Sequence, residues 1–292
     1  MNYKISLISV LLIFLNISCI NKSMEKDGWQ SLFNGRDLSG WDTYLSPDYD
    51  TILNRWDTIP IGLNIDPSKV FGIAEIDGKK VIRISGKNFG GISTTGEYEN
   101  YHLQLQFKWG EKQWTPRKTG KKDSGLMYHA VGPHGADGGF WMRSHEYQIQ
   151  EGDCGDYWAC AGAIYDIKAR KINDKTYIYD PNGELLTFSN TSKTGRRCIK
   201  DPDTEKPSGE WNTIDLYCLG DTSMHVMNGV VTMILQNSFL QTSASSGLSE
   251  FRDDRTLGQN LRGKKRRAAR YCSTEILHNE NGLNLPITAD AV

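Results

Sequence analysis

The chain has 292 residues, 38% of them hydrophobic and 24% charged, with a formal net charge of −1. These values fit a folded chain with one sizeable core, and the balanced charge argues against a nucleic-acid binder, which would normally show a basic domain or stripe. Gly (29), Tyr (13) and Trp (8) are abundant, a mix that suits turn-rich β structure rather than a helical bundle.

Residues 1–18 read as an export signal. "MNYK" carries one positive charge, and "ISLISVLLIFLNIS" is an apolar run shorter than the ~18–20 residues that cross a bilayer. "LNISC" resembles a bacterial lipobox with Ser18 before Cys19, although Asn16 stands where an apolar residue is usual. The expectation is acylation of Cys19, a tether over residues 19–27, and a protein exported to the bacterial cell envelope and held there by lipid, without a membrane span. Ordinary cleavage, or an anchor left uncleaved, are the alternatives.

"GWQSLFNGRDLSGWDTY" opens the domain with Gly and Asn-Gly turn signals. "KVIRIS" and "FGGIST" read as short strands. In "YHLQLQFKW", Tyr101, Leu103, Leu105, Phe107 and Trp109 alternate with His102, Gln104, Gln106 and Lys108, a two-faced strand. "SGLMYHAV" follows. "HEYQIQE" places Tyr147 and Ile149 on one face and Glu146, Gln148 and Gln150 on the other. "GAIYDI", "LLTFS" and "EWNTIDLYCLG" continue the series. "SMHVMNGVVTMIL" holds Asn228-Gly229 between apolar runs, the strongest hairpin signal in the chain. No segment has a long helical period. The pattern predicts an all-β sandwich or jelly roll, one domain over residues 28–238. Residues 239–292 lose the alternation. "GKKRRAAR" reads as a solvated loop, with a polyanion-binding patch or a non-ancestral reading frame as alternatives, and "EILHNENGLNLPIT" allows one closing strand.

Cys154, Cys160, Cys198, Cys218 and Cys272 follow Cys19. Export permits a disulfide. Cys154 with Cys160 is one possible pair, Cys198 competes, and the odd count leaves a thiol over. Cys218, in step with Ile214 and Leu216, reads as a core thiol. The spacings match no zinc motif.

"LFNGRDLSGW", "YENYHLQLQFKW", "DSGLMYH", "HEYQIQEGDCGDYW", "GEWNTIDLY" and "HVMNGVVTMIL" occur in this order. Together they resemble the bacterial 3-keto-disaccharide hydrolase family. The resemblance implies a concanavalin-like jelly roll, frequent export as a lipoprotein, and cleavage of glycosides already oxidised at C3. A separate sugar 3-oxidase is then implied. The family continues with further strands where this chain has its atypical tail.

A 3-keto group acidifies the C2 proton, so cleavage can run by proton abstraction, elimination of the C1 substituent and hydration. That route needs a general base at C2–H and a group that stabilises the enolate oxygen. Glu146 is the first candidate, as base or metal ligand. His129 is the second, read as sharing a face with Met127 and Gly125, although the family often carries Arg there. Gln148, Gln150, Asp153, Trp158 and Ser124 are the substrate-binding candidates, because amides and hydroxyls can both donate and accept. Tyr157 is a further stacking residue, Trp114 and Trp141 are rim residues, and Glu151 and Asp156 are loop carboxylates. His145 falls on the opposite strand face and ranks lower. His102, Gln104 and Gln106 join the same surface only if their strand neighbours that of Glu146. No phosphate loop or dinucleotide fingerprint is present, so no nucleotide cofactor is expected. A divalent metal stays open, with Glu146 and His129 as its candidate ligands. A carbohydrate-binding lipoprotein without catalysis is one alternative function. A two-carboxylate glycosidase is another, with Asp123 or Asp153 as the partner of Glu146.

Overall fold

The computed structural model describes residues 29–240 and, beyond them, the backbone of strands within 270–275, 283–285 and 287–291. The export signal, Cys19 and the tether lie outside the described residues.

Two large antiparallel sheets account for most of the chain. One has the order β1 (Trp29–Ser31), β20 (Ile287–Ala291), β7 (Tyr101–Phe107), β15 (Asn212–Leu219), β16 (Thr222–Met227), β17 (Val230–Leu240), β11 (Ala163–Asn173) and β12 (Thr176–Tyr179), with β13 (Glu184–Phe188) also on β11. The other has the order β14 (Arg197–Cys198), β10 (Tyr157–Cys160), β9 (Arg143–Gln150), β8 (Asp123–Val131), β18 (Arg270–Glu275), β6 (Gly90–Thr94), β2 (Trp41–Asp50) and β3 (Arg55–Leu63). A three-stranded sheet of β19 (Leu283–Leu285), β5 (Lys79–Ile84) and β4 (Phe71–Ile76) completes the fold.

The sheets face each other through residues that alternate inward. Leu103, Leu105, Phe107, Ile214, Leu216, Met233 and Leu235 come from the first sheet; Leu126, Tyr128, Tyr147, Ile149 and Tyr157 come from the second. Hydrogen bonds join the sheets within this layer. The Tyr128 hydroxyl lies 3.0 Å from His225 Nε2, and the Tyr147 hydroxyl donates to Val226 O at 3.2 Å. His145 meets the Tyr157 hydroxyl at 3.0 Å and Ser238 Oγ at 2.9 Å. Burial drives the pKa of His225 down to about 3, so the ring is neutral. Its Nδ1–H then faces Gly155 O at 3.3 Å, leaving Nε2 to accept from Tyr128. This polar layer follows the rule that buried polar groups find partners. The architecture is the all-β jelly-roll sandwich that the strand pattern predicts, and the concanavalin-like one that the resemblance implies.

Three points that the sequence leaves open are decided here. The strand carrying His102, Gln104 and Gln106 lies in the sheet opposite Glu146, so these residues form a separate outer face. There His102 and Gln104 both bond Asp215 Oδ1 at 2.8 Å, and Gln106 bonds Thr213 Oγ1 at 3.3 Å. The tail supplies three strands rather than one: β18 enters between β8 and β6, β19 pairs with β5, and β20 lies between β1 and β7. Ladder hydrogen bonds from neighbours hold such strands, so their own alternation can be weak. Finally, Cys154, Cys160, Cys198 and Cys218 are all buried and none is joined to another by a disulfide, so the Cys154–Cys160 pairing is absent. Cys154 packs in the inter-sheet core, whereas Cys160 lies in a separate cluster with Met127. The side chain of Cys272 lies outside the described residues.

Candidate active site

Strand β9 organises the site. Tyr147 and Ile149 are buried in the core, which turns Glu146, Gln148 and Gln150 to the outer face of the sheet. Residues paired across an antiparallel ladder share a face. Glu146 is opposite Met127 on β8 and Trp158 on β10; Gln148 is opposite Gly125, Gln150 is opposite Asp123, and Ser144 is opposite Cys160. One surface therefore carries Asp123, Gly125, Met127, Glu146, Gln148, Gln150, Trp158 and Cys160.

Gly125 makes room for Glu146. A Cβ at position 125 would stand 2.0 Å from Glu146 Oε1 and 2.8 Å from its Cδ, so the carboxyl lies directly over the glycine backbone. The Cys160 thiol donates to Glu146 Oε2 at 3.5 Å. Burial first, then the negative charge of Asp123, pushes the Glu146 pKa up to about 8; Cys160 and Arg196 oppose that shift. The residue as a whole stays partly open to solvent, and a strongly perturbed carboxyl in such a setting is a candidate proton-transfer group. Asp123 is buried and paired with Arg117 Nη1 at 2.7 Å.

Two further polar atoms on this face await a partner. Gln148 Oε1 and Trp158 Nε1 are buried without a hydrogen bond among the described residues. Each such orphan costs free energy unless a ligand or water satisfies it. The Trp158 ring is covered by Arg196 at 4.9 Å and Arg197 at 5.5 Å, and Arg196 in turn reaches Asp137 at 3.4 Å.

The loop between β8 and β9 closes one end of the surface. The Tyr44 hydroxyl donates to Gly139 O at 3.0 Å, and Trp141 packs on Met127 and Cys160. Trp141 continues into a group of half-buried aromatics. Phe89 and Phe140 lie 6.1 and 5.7 Å from it, and Trp56 lies 4.5 Å from Phe89 and 5.1 Å from Phe140.

The structure thus gathers Glu146, Gln148, Gln150 and Trp158 on one face, with Trp141 at its edge. Other sequence candidates fall elsewhere. His129 is buried at φ 53°, next to a register shift between Tyr128 and Val131. This bulge breaks the alternation. The ring packs with Tyr101, Tyr128 and His145 at 5.9, 5.3 and 6.1 Å, in the core rather than beside Met127 and Gly125. It cannot share a metal with Glu146 in this arrangement. Among the described residues no three His, Cys, Asp or Glu side chains converge as a ligand set. Ser124, opposite Ile149 and fully buried, also faces the core, as does Tyr157. Asp153 lies in the following loop, held by Lys121 at 2.8 Å and Arg197 at 3.2 Å. Asp156 is buried against Arg197 and the Lys200 backbone. Glu151 is 4.0 Å from Lys122. Trp114 donates to Ser85 O at 3.1 Å and stacks under Lys112. Sequence reasoning missed Arg117, Arg196, Cys160, Trp56, Phe89 and Phe140. Only strand register and loop path, neither visible in a single sequence, bring them near.

The model of the 3-keto-alpha-glucoside-1,2-lyase-like domain matches residues 28–256. A search of curated proteins finds no match. Among solved structures, two candidate glycosyl hydrolases from Parabacteroides distasonis are similar. One is 16% identical with a TM-score of 0.44, covering 92% of this chain and 99% of its own. The other is 17% identical with a TM-score of 0.42, covering 90% and 99%. An alginate lyase of polysaccharide lyase family 7 is 11% identical with a TM-score of 0.38, covering 88% and 96%.

Proposed function

The chain belongs to the 3-keto-alpha-glucoside-1,2-lyase-like domain family, a carbohydrate-active class, and from that membership we propose that it cleaves 3-keto-glycosides by elimination across C1 and C2 followed by hydration. One observation carries the reading: Glu146 is a partly exposed residue on a rigid strand, with the pKa of its carboxyl raised to about 8.

Ionised Glu146 takes the C2 proton, which the C3 ketone has acidified. The C2–H electrons move into the C2–C3 bond and the carbonyl oxygen becomes an enolate. Collapse of the enolate forms the C1–C2 double bond and expels the C1 oxygen with its substituent, which receives the proton that Glu146 carries. Water then adds across the double bond to give the free 3-keto sugar. A raised pKa makes Glu146 a stronger base once ionised, and a pKa near the working pH keeps a useful fraction in that state. Trp158 Nε1–H is a donor suited to the enolate or to a hydroxyl. Gln148 and Gln150 hold hydroxyls by accepting and donating together. The substrate implies a separate enzyme that oxidises C3, and export on a lipid anchor at Cys19 would place this chain in the envelope.

A second reading has its own support. The Glu146 carboxyl lies over Gly125, which is two residues from Asp123 on one strand, about 7 Å away. The Asp123 charge also helps raise the Glu146 pKa, so the two carboxyls are near enough to couple, as the pair of a two-carboxylate glycosidase must be. Offering the purified chain a 3-keto disaccharide and the unmodified disaccharide separates the readings. We expect cleavage of the first only, lost in Glu146→Gln. Cleavage of both supports the two-carboxylate route; binding with no turnover of either supports a lectin and overturns catalysis.

A further inference from the structure

Glu146 stands at a boundary. Along β9 on one side of it come Gln148 and Gln150, facing Gly125 and Asp123. This half of the surface is polar and includes the orphaned Gln148 Oε1. Met127 is level with Glu146 on the neighbouring strand; on the other side come Cys160 and Trp141, which pack on Met127, and then the aromatic group of Phe140, Phe89 and Trp56. That half is apolar. Its four rings are half-buried rather than sealed, although aromatic side chains of this size are usually spent on the core. The loop that brings Phe140 and Trp141 is fixed by the Tyr44–Gly139 bond and by the Asp137–Trp141 bridge, so the rings form a wall held in place.

The chemistry gives this asymmetry a direction. A base that removes the C2 proton sits beside C2, and the departing group hangs on the adjacent atom, C1. A keto sugar bound by its hydroxyls in the polar half therefore points its C1 substituent at the aromatic half. We infer that the aromatic group formed by Trp56, Phe89, Phe140 and Trp141 is a leaving-group subsite, and that it takes an aglycone with a flat, apolar face, such as an aryl group, in preference to a second hexose. A second hexose would present hydroxyls to a wall whose four named side chains offer only two indole N–H donors and no acceptor, whereas an aryl ring can stack edge or face on it. This inference rests on the proposed role of Glu146 as the base at C2.

Binding to the Glu146→Gln variant tests it without turnover. The probes are the methyl and phenyl glycosides of 3-keto-glucose and a 3-keto disaccharide, in both anomers, followed by calorimetry. Phenyl should bind at least about tenfold more tightly than methyl or disaccharide. Adding Phe140→Ala or Trp56→Ala should remove that preference and leave methyl affinity unchanged. Saturation transfer on the protein without these extra substitutions gives an independent reading, with the strongest transfer to the aglycone protons. Equal affinity for phenyl and methyl, tighter binding of the disaccharide, or transfer concentrated on the sugar protons would overturn the subsite. Wild-type protein that binds phenyl selectively but turns over none of the 3-keto-glycosides would instead remove the proposed function and leave an aryl-glycoside binding surface.

Discussion

At the scale of the residue, the account rests on Glu146 and on what surrounds it. At neutral pH a carboxyl with a pKa of about 8 is about one-tenth ionised. A base must be ionised to act, so kcat/KM should rise with pH through an apparent pKa near 8 and then level off. A general acid would show the opposite limb, with activity falling above 8, and that profile would favour the two-carboxylate route. Gly125 is the second test. Its backbone carries no left-handed strain, so Gly125→Ala acts only by pressing a methyl group against the Glu146 carboxyl. Displacement of a reacting group by about 1 Å costs up to about 100-fold, so kcat/KM should fall by about ten- to a hundredfold while the thermal midpoint changes little. Undiminished activity would mean that the carboxyl works from another position. Part of this was legible in the chain itself. The amide-rich face of "HEYQIQEGD" marks Glu146, Gln148 and Gln150, whereas the part Gly125 plays is not visible there. The carboxyl of Glu146 lies over its backbone, which only the register between β8 and β9 reveals.

At the scale of the element, strict alternation carried the reading where strands run unbroken. β7 alternates buried and partly exposed positions along its whole length, as its sequence predicts. The Asn228-Gly229 signal is also correct: both residues have positive φ, 50° and 82°, as a tight primed turn between β16 and β17 requires. Asn228 does more than turn the chain. Its amide donates to Thr204 O at 2.7 Å and Asn212 Oδ1 at 2.9 Å, and its Oδ1 accepts from Thr213 N at 2.9 Å. Asn228→Gly keeps the turn and removes these bonds, so it should cost about 1–3 kcal/mol. Asn228→Ala adds the penalty for positive φ and should cost about 1 kcal/mol more. Equal stabilities of the two variants in a urea titration would mean that the backbone geometry is not what Asn supplies. Alternation failed at the bulge after Tyr128, which rotates His129 into the core. A bulge leaves no reliable mark in one sequence, because the extra residue is defined by the partner strand.

At the scale of the whole molecule, the two-layer architecture was legible because many short alternating strands with turns between them must pair sheet on sheet to bury one face each. Which strands share a sheet was not. The polar faces of β7 and β9 look equivalent along the chain, yet they lie on opposite outer surfaces, and the second sets the Glu146 carboxyl beside unsatisfied polar atoms. The tail, too, defied its composition by contributing strands to all three sheets. What joins these scales is a single claim: Glu146 removes the proton from C2 of a 3-keto sugar. Cleavage of a 3-keto-glycoside in deuterium oxide, with the product read by NMR and mass spectrometry, tests it most directly. The account predicts deuterium at C2 of the released sugar, formed no slower than cleavage and abolished by Glu146→Gln. Efficient cleavage by the wild-type chain with the original proton still on C2 would contradict it.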